Sequence, residues 1–176
     1  MSPKLNVADI VKKHLATLYD AREEGVERVA PLDLIWFFVV PLIPAVLVPV
    51  WTGLSGAFLG TVTTLLGIFA ALLFNLLVLT LGHANKLQRE VRDDMQHAVT
   101  KRMRLRSTQE LLYNISFEIL ISLVAVVFAL VAVLMPADTL VERLMAGLLL
   151  WLVGVFVAGL FMVLKRVHAL VVNVLD

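Results

Sequence analysis

The chain has 176 residues, of which 60% are hydrophobic and 16% charged, and its mean hydropathy is +0.92. Soluble domains carry about 25% charged residues, so this composition excludes an ordinary globular protein. The absence of cysteine excludes a disulfide framework and a zinc site built on thiolates. Composition therefore predicts an all-α, polytopic membrane protein whose apolar residues come in blocks of bilayer length.

The N-terminal region, residues 1–33, is predicted to be cytoplasmic and to form an amphipathic helix over residues 2–29. One face of that helix carries residues at three-to-four spacing, which are Val7, Ile10, Val11, His14, Leu15 and Leu18. The region mixes charges and lacks the apolar block that a signal peptide needs. We therefore expect the membrane segments to act as both insertion signal and anchor.

A first transmembrane hairpin is predicted over residues 34–82. No Asp, Glu, Lys or Arg occurs from Leu34 to Asn85, and a stretch that long holds two spans of about 20 residues each. We place these spans at 34–52 and 57–82. The first span contains three prolines, Pro41, Pro44 and Pro49. Each proline removes a backbone donor, so this span is expected to be kinked or locally unwound.

A second transmembrane hairpin is predicted over residues 111–166, with spans at 111–135 and 142–164. Two capping boxes are predicted to open these spans, because a side-chain acceptor is followed three residues later by glutamate. They are Ser107 with Glu110 and Thr139 with Glu142. The remaining residues, 167–176, are predicted to form a cytoplasmic tail.

The distribution of lysine and arginine predicts the orientation of the chain, because cytoplasmic loops carry an excess of these residues. Five lie in residues 1–33, seven in residues 83–110 and two in residues 165–166, whereas the proposed outer loops hold only Arg143. Both termini and the central loop are therefore predicted to be cytoplasmic.

The segment 83–110 is predicted to be a basic helical region on the cytoplasmic side. Four cations fall within six residues without an acid, namely Lys101, Arg102, Arg104 and Arg106. One interpretation is an anchor to anionic lipid headgroups. If several subunits surround an axis, the repeated cations would instead form a field that binds a polyanion such as an oligonucleotide.

Enzymatic function is disfavoured by the sequence. It contains no metal-protease motif, no nucleophile elbow, no phosphate-binding loop and no paired aspartates inside a span. The four histidines lie in cytoplasmic or boundary segments without ligand spacing; they are His14, His83, His97 and His168. No cofactor, metal or catalytic residue is therefore expected.

Polar residues inside the predicted spans mark a second candidate site. Glu118 in the third span and Asn75 in the second lie at a similar depth, about 10 Å inside the cytoplasmic boundary. Asn114 and Ser122 share a helix face with Glu118 because they are four residues away on either side. Such residues usually face a cavity, a partner or an ion path. The alternative is a structural hydrogen bond that ties the second and third spans together.

Small and polar residues also recur along one face of the second span. The stripe consists of Gly56, Gly60, Thr64, Gly67, Ala71 and Asn75. Close helix packing is one interpretation, because small residues let helix backbones approach. The lining of a pore at an oligomer axis is the other. A shorter stripe on the fourth span, formed by Gly147, Gly154 and Ala158, indicates packing only.

Two stretches carry a resemblance to a known family, Gly67 to Leu77 (GIFAALLFNLL) and Leu112 to Ser122 (LYNISFEILIS). They resemble the second and third spans of the HalB-like four-helix membrane effectors of Hailong anti-phage systems. The topology is also similar to that of RexB-like phage exclusion proteins. The similarity covers residues 57–135.

The resemblance implies an oligomeric ion channel of the bacterial inner membrane, with a tetramer favoured. It also implies a nucleotidyltransferase-type partner that makes short single-stranded DNA, which holds the channel shut until infection removes it and the membrane depolarises. The implied ligand-binding residues are Lys101, Arg102, Arg104 and Arg106, with Arg89 and Arg92 as weaker candidates. The implied pore residues are Asn75 and Glu118.

Three functions are therefore open from the sequence. The leading hypothesis is a homo-oligomeric membrane effector with an ion path gated from the cytoplasmic side. A non-conducting scaffold would instead dock a cytoplasmic partner through residues 2–29 and 83–106. A small secondary transporter would use Glu118 as its coupling acid.

Overall fold

The structure, a computed structural model, describes residues 10–14, 19–20, 28–29, 35–51, 55–93, 98–135 and 139–175. It is helical apart from one pairing of two-residue strands. The principal helices are α1 (Leu42–Trp51), α2 (Gly56–Asp93), α3 (Ala98–Val133) and α4 (Leu140–Leu175). A π-helical turn, Ile35–Val39, precedes α1.

Three described helices are long and apolar enough to cross a membrane. Their candidate spans are Gly56–Val91, Arg104–Val133 and Leu140–His168. Large apolar side chains are exposed along all three helices, as expected where the solvent is lipid. These findings indicate a helical membrane protein, and the three helices contain the spans predicted over 57–82, 111–135 and 142–164.

The first predicted span, 34–52, differs from the expectation. Its apolar helical segment, Ile35–Pro49, would be about 22 Å long even as an unbroken α-helix with 1.5 Å per residue, which is shorter than a hydrocarbon core of about 30 Å. The π-helical turn ends at Val39, because Pro41 has no N–H to continue the helical ladder. The prediction of a locally broken helix is confirmed, whereas a fourth full-length span is not.

The amphipathic helix predicted over residues 2–29 is wrong as one continuous element. Residues 10–14 are helical, but Tyr19–Asp20 (β1) and Arg28–Val29 (β2) pair antiparallel, with Tyr19 opposite Val29. Ladder hydrogen bonds between residues ten apart cannot form within a single helix. The other residues of that prediction lie outside the described part of the chain.

The helices pack as an antiparallel bundle in which α3 lies between α2 and α4. The core joins all three, with Leu66 on α2, Ile115 and Ala125 on α3, and Leu149 on α4 among its buried residues. The shorter α1 packs on α4, where a Cβ on Gly147 would contact Ala45 and one on Gly154 would contact Pro41. The prediction that these two glycines serve helix packing is confirmed.

The helices α2 and α3 extend well beyond a bilayer. With 38 and 36 residues they are about 57 and 54 Å long, against a hydrocarbon core of about 30 Å. The predicted capping box at Ser107 is wrong, because α3 runs without a break through that residue. For the box at Thr139 the N-cap bond is confirmed, because the Glu142 N–H donates to the Thr139 hydroxyl at 3.1 Å.

Candidate functional site

A row of polar side chains runs along the face of α3 that contacts α4. Glu110, Asn114, Glu118 and Ser122 are four residues apart and therefore share one helix face. Asn114, Glu118 and Ser122 are at most 1% exposed. At 1.5 Å per residue the row is about 18 Å long. We call these four residues the α3 polar row.

Glu118 lies at the centre of this row and is packed against the backbone of α4. A Cβ at Gly159 would overlap the Glu118 carboxylate, so the glycine creates the space that the carboxylate occupies. Within the described part of the chain, neither carboxylate oxygen has a hydrogen-bond partner. A buried carboxylate in that condition is costly, and such residues inside a span usually serve a function.

Asn114 connects the α3 polar row to the N-terminal region. Its amide oxygen is 2.9 Å from His14 Nδ1, and its amide nitrogen donates to the Met162 sulfur at 3.5 Å. The His14 ring stacks on Phe117 with the ring centroids 3.8 Å apart and an angle of 6° between the planes. It also contacts Phe37, with the centroids 5.3 Å apart. His14 is therefore inserted into the bundle one helical turn from Glu118.

The buried position of His14 determines its charge. Burial lowers the pKa of His14 from 6.5 to about 4, because a charged imidazole would lose its hydration. The hydrogen bond with Asn114 raises the pKa, whereas the positive charge of Arg166 lowers it further. His14 is consequently neutral near pH 7, and residues 10–14 dock without a buried charge.

Charged residues close the Glu110 end of the row. Glu110 accepts from Arg166 of α4 at 3.0 Å and lies 3.4 Å from Arg106. The Lys13 ammonium lies 4.8 Å from the centre of the Tyr113 ring, which is a cation–π distance. The N-terminal region therefore contacts α3 through two consecutive side chains, one charged and one buried.

The small-residue stripe of α2 lies on a different surface. All six of its members are exposed, and a Cβ added at Gly56, Gly60 or Gly67 would have nothing within 4 Å. The Thr64 hydroxyl donates to the Gly60 carbonyl at 2.9 Å, and Asn75 is also exposed. The stripe therefore makes no close helix contact within the described part of the chain, and its packing against another helix stays a prediction.

Asn75 and Glu118 do not share a surface. The core-facing side of α2 carries Leu59, Leu66 and Leu73, whereas Asn75 is exposed and Glu118 is fully buried. The alternative of a hydrogen bond between Glu118 and the second span is also wrong, because the described contact of its carboxylate is with Gly159 of α4.

The predicted basic residues lie near the end of α2 and the start of α3, which follow each other in the chain. Arg89 is exposed on α2, and Arg104 and Arg106 are exposed on α3. Lys101 and Arg102 belong to α3 and Arg92 to α2, but their side chains lie outside the described part of the structure. In the described part of the chain, no three His, Asp or Glu side chains are grouped as a metal ion would require.

Two residues of the site were missed by sequence reasoning, His14 and Gly159. The four-residue spacing of the α3 polar row is visible in the sequence and extends to Glu110, but nothing local pairs His14 with a residue 100 positions away. Comparison with known proteins adds no further assignment, because no protein-family model, curated protein or solved structure matches the chain.

Proposed function

We propose that the chain is the subunit of a homo-oligomeric membrane protein that conducts ions and is gated from its cytoplasmic side. The observation that carries this proposal is Glu118, a fully buried carboxylate within a candidate span. Two helices that only pack together do not need an acid at this position, because burial of an apolar residue of similar size would cost less free energy. Its placement favours a role in moving cations or protons.

The α3 polar row supplies a route toward Glu118. Its members lie about 6 Å apart along the helix, so an ion or a short chain of water molecules passes from one polar group to the next. His14 covers the row at Asn114, next to the turn that carries Glu118. Release of residues 10–14 would uncover Asn114, and this movement is the gating step that we propose.

The exposed stripe on α2 supports assembly into an oligomer. An asparagine such as Asn75 is unfavourable against lipid, whereas a second copy or water in a shared pore would supply its hydrogen bonds. Gly60 and Gly67 leave room for another helix to approach closely. Thr64 and Asn75 are thus assigned to the contact between subunits, and Glu118 to the path inside each one.

The topology that we propose has four crossings and both termini in the cytoplasm. The segment Ile35–Trp51 covers one half of α4, from Val155 toward Leu140, whereas residues 10–14 pack beside Met162 in the other half. Fourteen of the fifteen lysines and arginines fall on the cytoplasmic side in this arrangement.

The ligand that we propose is a polyanion bound by the basic residues of segment 83–110. Arg104 and Arg106 are exposed on α3, and an oligomer would bring several copies of them around one axis. Short single-stranded DNA carries the repeated phosphates that such a field would bind, and the resemblance to HalB-like effectors suggests that its loss opens the channel during phage infection. Depolarisation of the inner membrane would follow.

The test is the current across a planar bilayer that contains the purified protein. We expect a current that short single-stranded DNA suppresses from the cytoplasmic side, and that Glu118→Gln reduces at least tenfold. The matched control is Glu90→Gln, which removes an acid from the extension of α2 without touching the α3 polar row. Replacement of Arg102 and Arg104 by glutamine should remove the DNA effect but retain the current.

Two results would overturn the proposal. A strictly monomeric protein in detergent and in lipid would exclude the homo-oligomer and the shared polyanion site. A silent bilayer with inserted oligomeric protein would favour the scaffold, which would dock its partner through the extensions of α2 and α3.

The secondary transporter is the other candidate that a specific observation favours. Among the described residues of the candidate spans, Glu118 is the one buried acid, and it lies one helical turn from Asn114, which contacts the neutral His14; a buried ionisable group of this kind favours proton-coupled exchange. Exchange is driven by a gradient of the substrate, whereas a channel current at equal ion concentrations is driven by the membrane potential. Substrate-dependent proton movement in vesicles at zero membrane potential, abolished by Glu118→Gln, would assign the chain to this class.

A further inference from the structure

A second surface feature lies outside the α3 polar row, in the groove between α1 and α4. The groove has a volume of about 620 Å³ and is open along one side. Val46 and Pro49 form its α1 wall, and Leu144 and Gly147 form its α4 wall. This volume lies within the range of about 300–1,000 Å³ that small-molecule sites usually have.

The two ends of the groove differ in chemistry. Arg143 lies at the end nearest the start of α4 and is exposed, and it is the one charged side chain among the described residues that line the groove. Trp151 lies eight residues further along the same helix, about 12 Å away. Its indole N–H donates to the Phe38 carbonyl at 3.0 Å, so the ring presents apolar edges to the groove.

The groove therefore combines an apolar channel, which lies within a candidate span, with one cation, Arg143, at the end nearest the start of α4. The neighbouring acid, Glu142, is not among the residues that line the groove. Its backbone N–H donates to the Thr139 hydroxyl, which caps the start of α4. The charge at the mouth complements an anion, and an arginine suits a phosphate because its guanidinium donates two parallel hydrogen bonds. A molecule with an acyl chain and an anionic phosphate matches both ends.

We propose that the groove between α1 and α4 is a binding site for an anionic phospholipid, with one acyl chain between the helices and the headgroup phosphate on Arg143. A second groove supplies the comparison. It lies between α2 and α4, beside Phe69, Phe156 and Phe161, has a volume of about 360 Å³, and has no charged side chain among its described lining residues. That groove takes acyl chains without regard to the headgroup. The proposal does not depend on ion conduction.

Fluorescence quenching by brominated lipids tests the proposal, because Trp151 lines the groove. Replacement of Trp36 and Trp51 by phenylalanine leaves Trp151 as the only tryptophan of the chain. This variant is placed in phosphatidylcholine vesicles that contain a small fraction of brominated phosphatidylglycerol or, in a parallel series, of brominated phosphatidylcholine. The dependence of quenching on that fraction gives the relative affinity of the two lipids for the groove.

We expect phosphatidylglycerol to be enriched at Trp151 about fivefold over phosphatidylcholine, the preference that one arginine near the surface supplies. In Arg143→Gln the two lipids should quench equally, whereas Lys165→Gln, which removes an exposed cation from the opposite part of α4, should keep the preference. Val46→Phe, which narrows the groove, should reduce quenching by both lipids.

Three outcomes would overturn the proposal. Equal quenching by the two lipids in the starting variant would show that Arg143 does not select a headgroup. A preference that survives Arg143→Gln would place the selectivity elsewhere. Absence of quenching by either lipid would show that another part of the protein or a second copy fills the groove. Circular dichroism and size-exclusion chromatography of each variant confirm that it is folded.

Discussion

Substitution of Gly159 by alanine tests the central contact of the candidate site. A Cβ at this position would overlap the Glu118 carboxylate, and Glu118 is fully buried, so its side chain has no open direction in which to move. Either the glutamate must adopt a strained rotamer or α3 and α4 must separate. Overpacking of this kind costs about 1–3 kcal/mol. We expect Gly159→Ala to lower the free energy of unfolding by that amount.

The matched control is Gly82→Ala on α2, where an added Cβ would have nothing within 4 Å. This change should be neutral or should stabilise the helix by up to about 1 kcal/mol, because alanine has the higher helix propensity. Both variants are unfolded in mixed micelles with increasing sodium dodecyl sulfate, and the loss of helical circular dichroism is followed.

A double-mutant cycle identifies the cause of the loss. Glu118→Ala removes the atoms that the new methyl group would meet, so Gly159→Ala should cost little in that background. The coupling free energy should therefore be about 1–3 kcal/mol. If Gly159→Ala is as stable as Gly82→Ala, or if its cost is unchanged beside Glu118→Ala, the contact between Glu118 and Gly159 is refuted, and with it the proposed position of the ion path.

Three further predictions follow from the contacts at the two ends of the bundle. A proton binds His14 more readily when it is undocked, so docking of residues 10–14 should weaken as the pH falls from about 6.5 to about 4, by roughly 3 kcal/mol in total. A spin label on Lys12→Cys, the single cysteine of that variant, should become mobile as the pH falls over this range. If the mobility of the label depends on pH in the same way after His14→Phe, His14 is not the group that controls docking. Glu110→Gln should lower the free energy of unfolding by about 1 kcal/mol, measured as above, because it removes the charge that Arg166 contacts at 3.0 Å; equal stability would show that the pair contributes nothing. Thr139→Ala should cost about 1 kcal/mol while Thr139→Ser retains stability, and an equal loss in both would exclude the cap.

Local features of the chain could be predicted from the sequence because they depend on neighbouring residues. The three long apolar helices follow from blocks of hydrophobic residues, and the start of α4 follows from Thr139 and Glu142. The common face of Asn114, Glu118 and Ser122 follows from helical periodicity alone. The sequence predicted that the prolines would interrupt the first span, but it did not predict the length of the helical segment that remains.

The positions of helix faces relative to one another needed the tertiary structure. Periodicity groups residues on a face but does not determine which face meets a neighbour, so the stripe on α2 was compatible with packing inside the chain until its exposure was seen. The same limit led Asn75 and Glu118 to be assigned to a single site. The continuous path of α3 through Ser107 is also a tertiary effect, because packing on α2 sustains the helix beyond a local capping signal.

The amino-acid sequence by itself determined that this protein is helical, that it belongs in a membrane, and which side chains of α3 share a face. Those properties depend on hydrophobicity and on contacts between residues a few positions apart. Only the tertiary structure decided that His14 meets Asn114 and that Glu118 lies against Gly159. These pairs are far apart along the chain, and they are selected by the complementary shapes of whole helices, because burial of the apolar faces determines which polar groups are carried into contact.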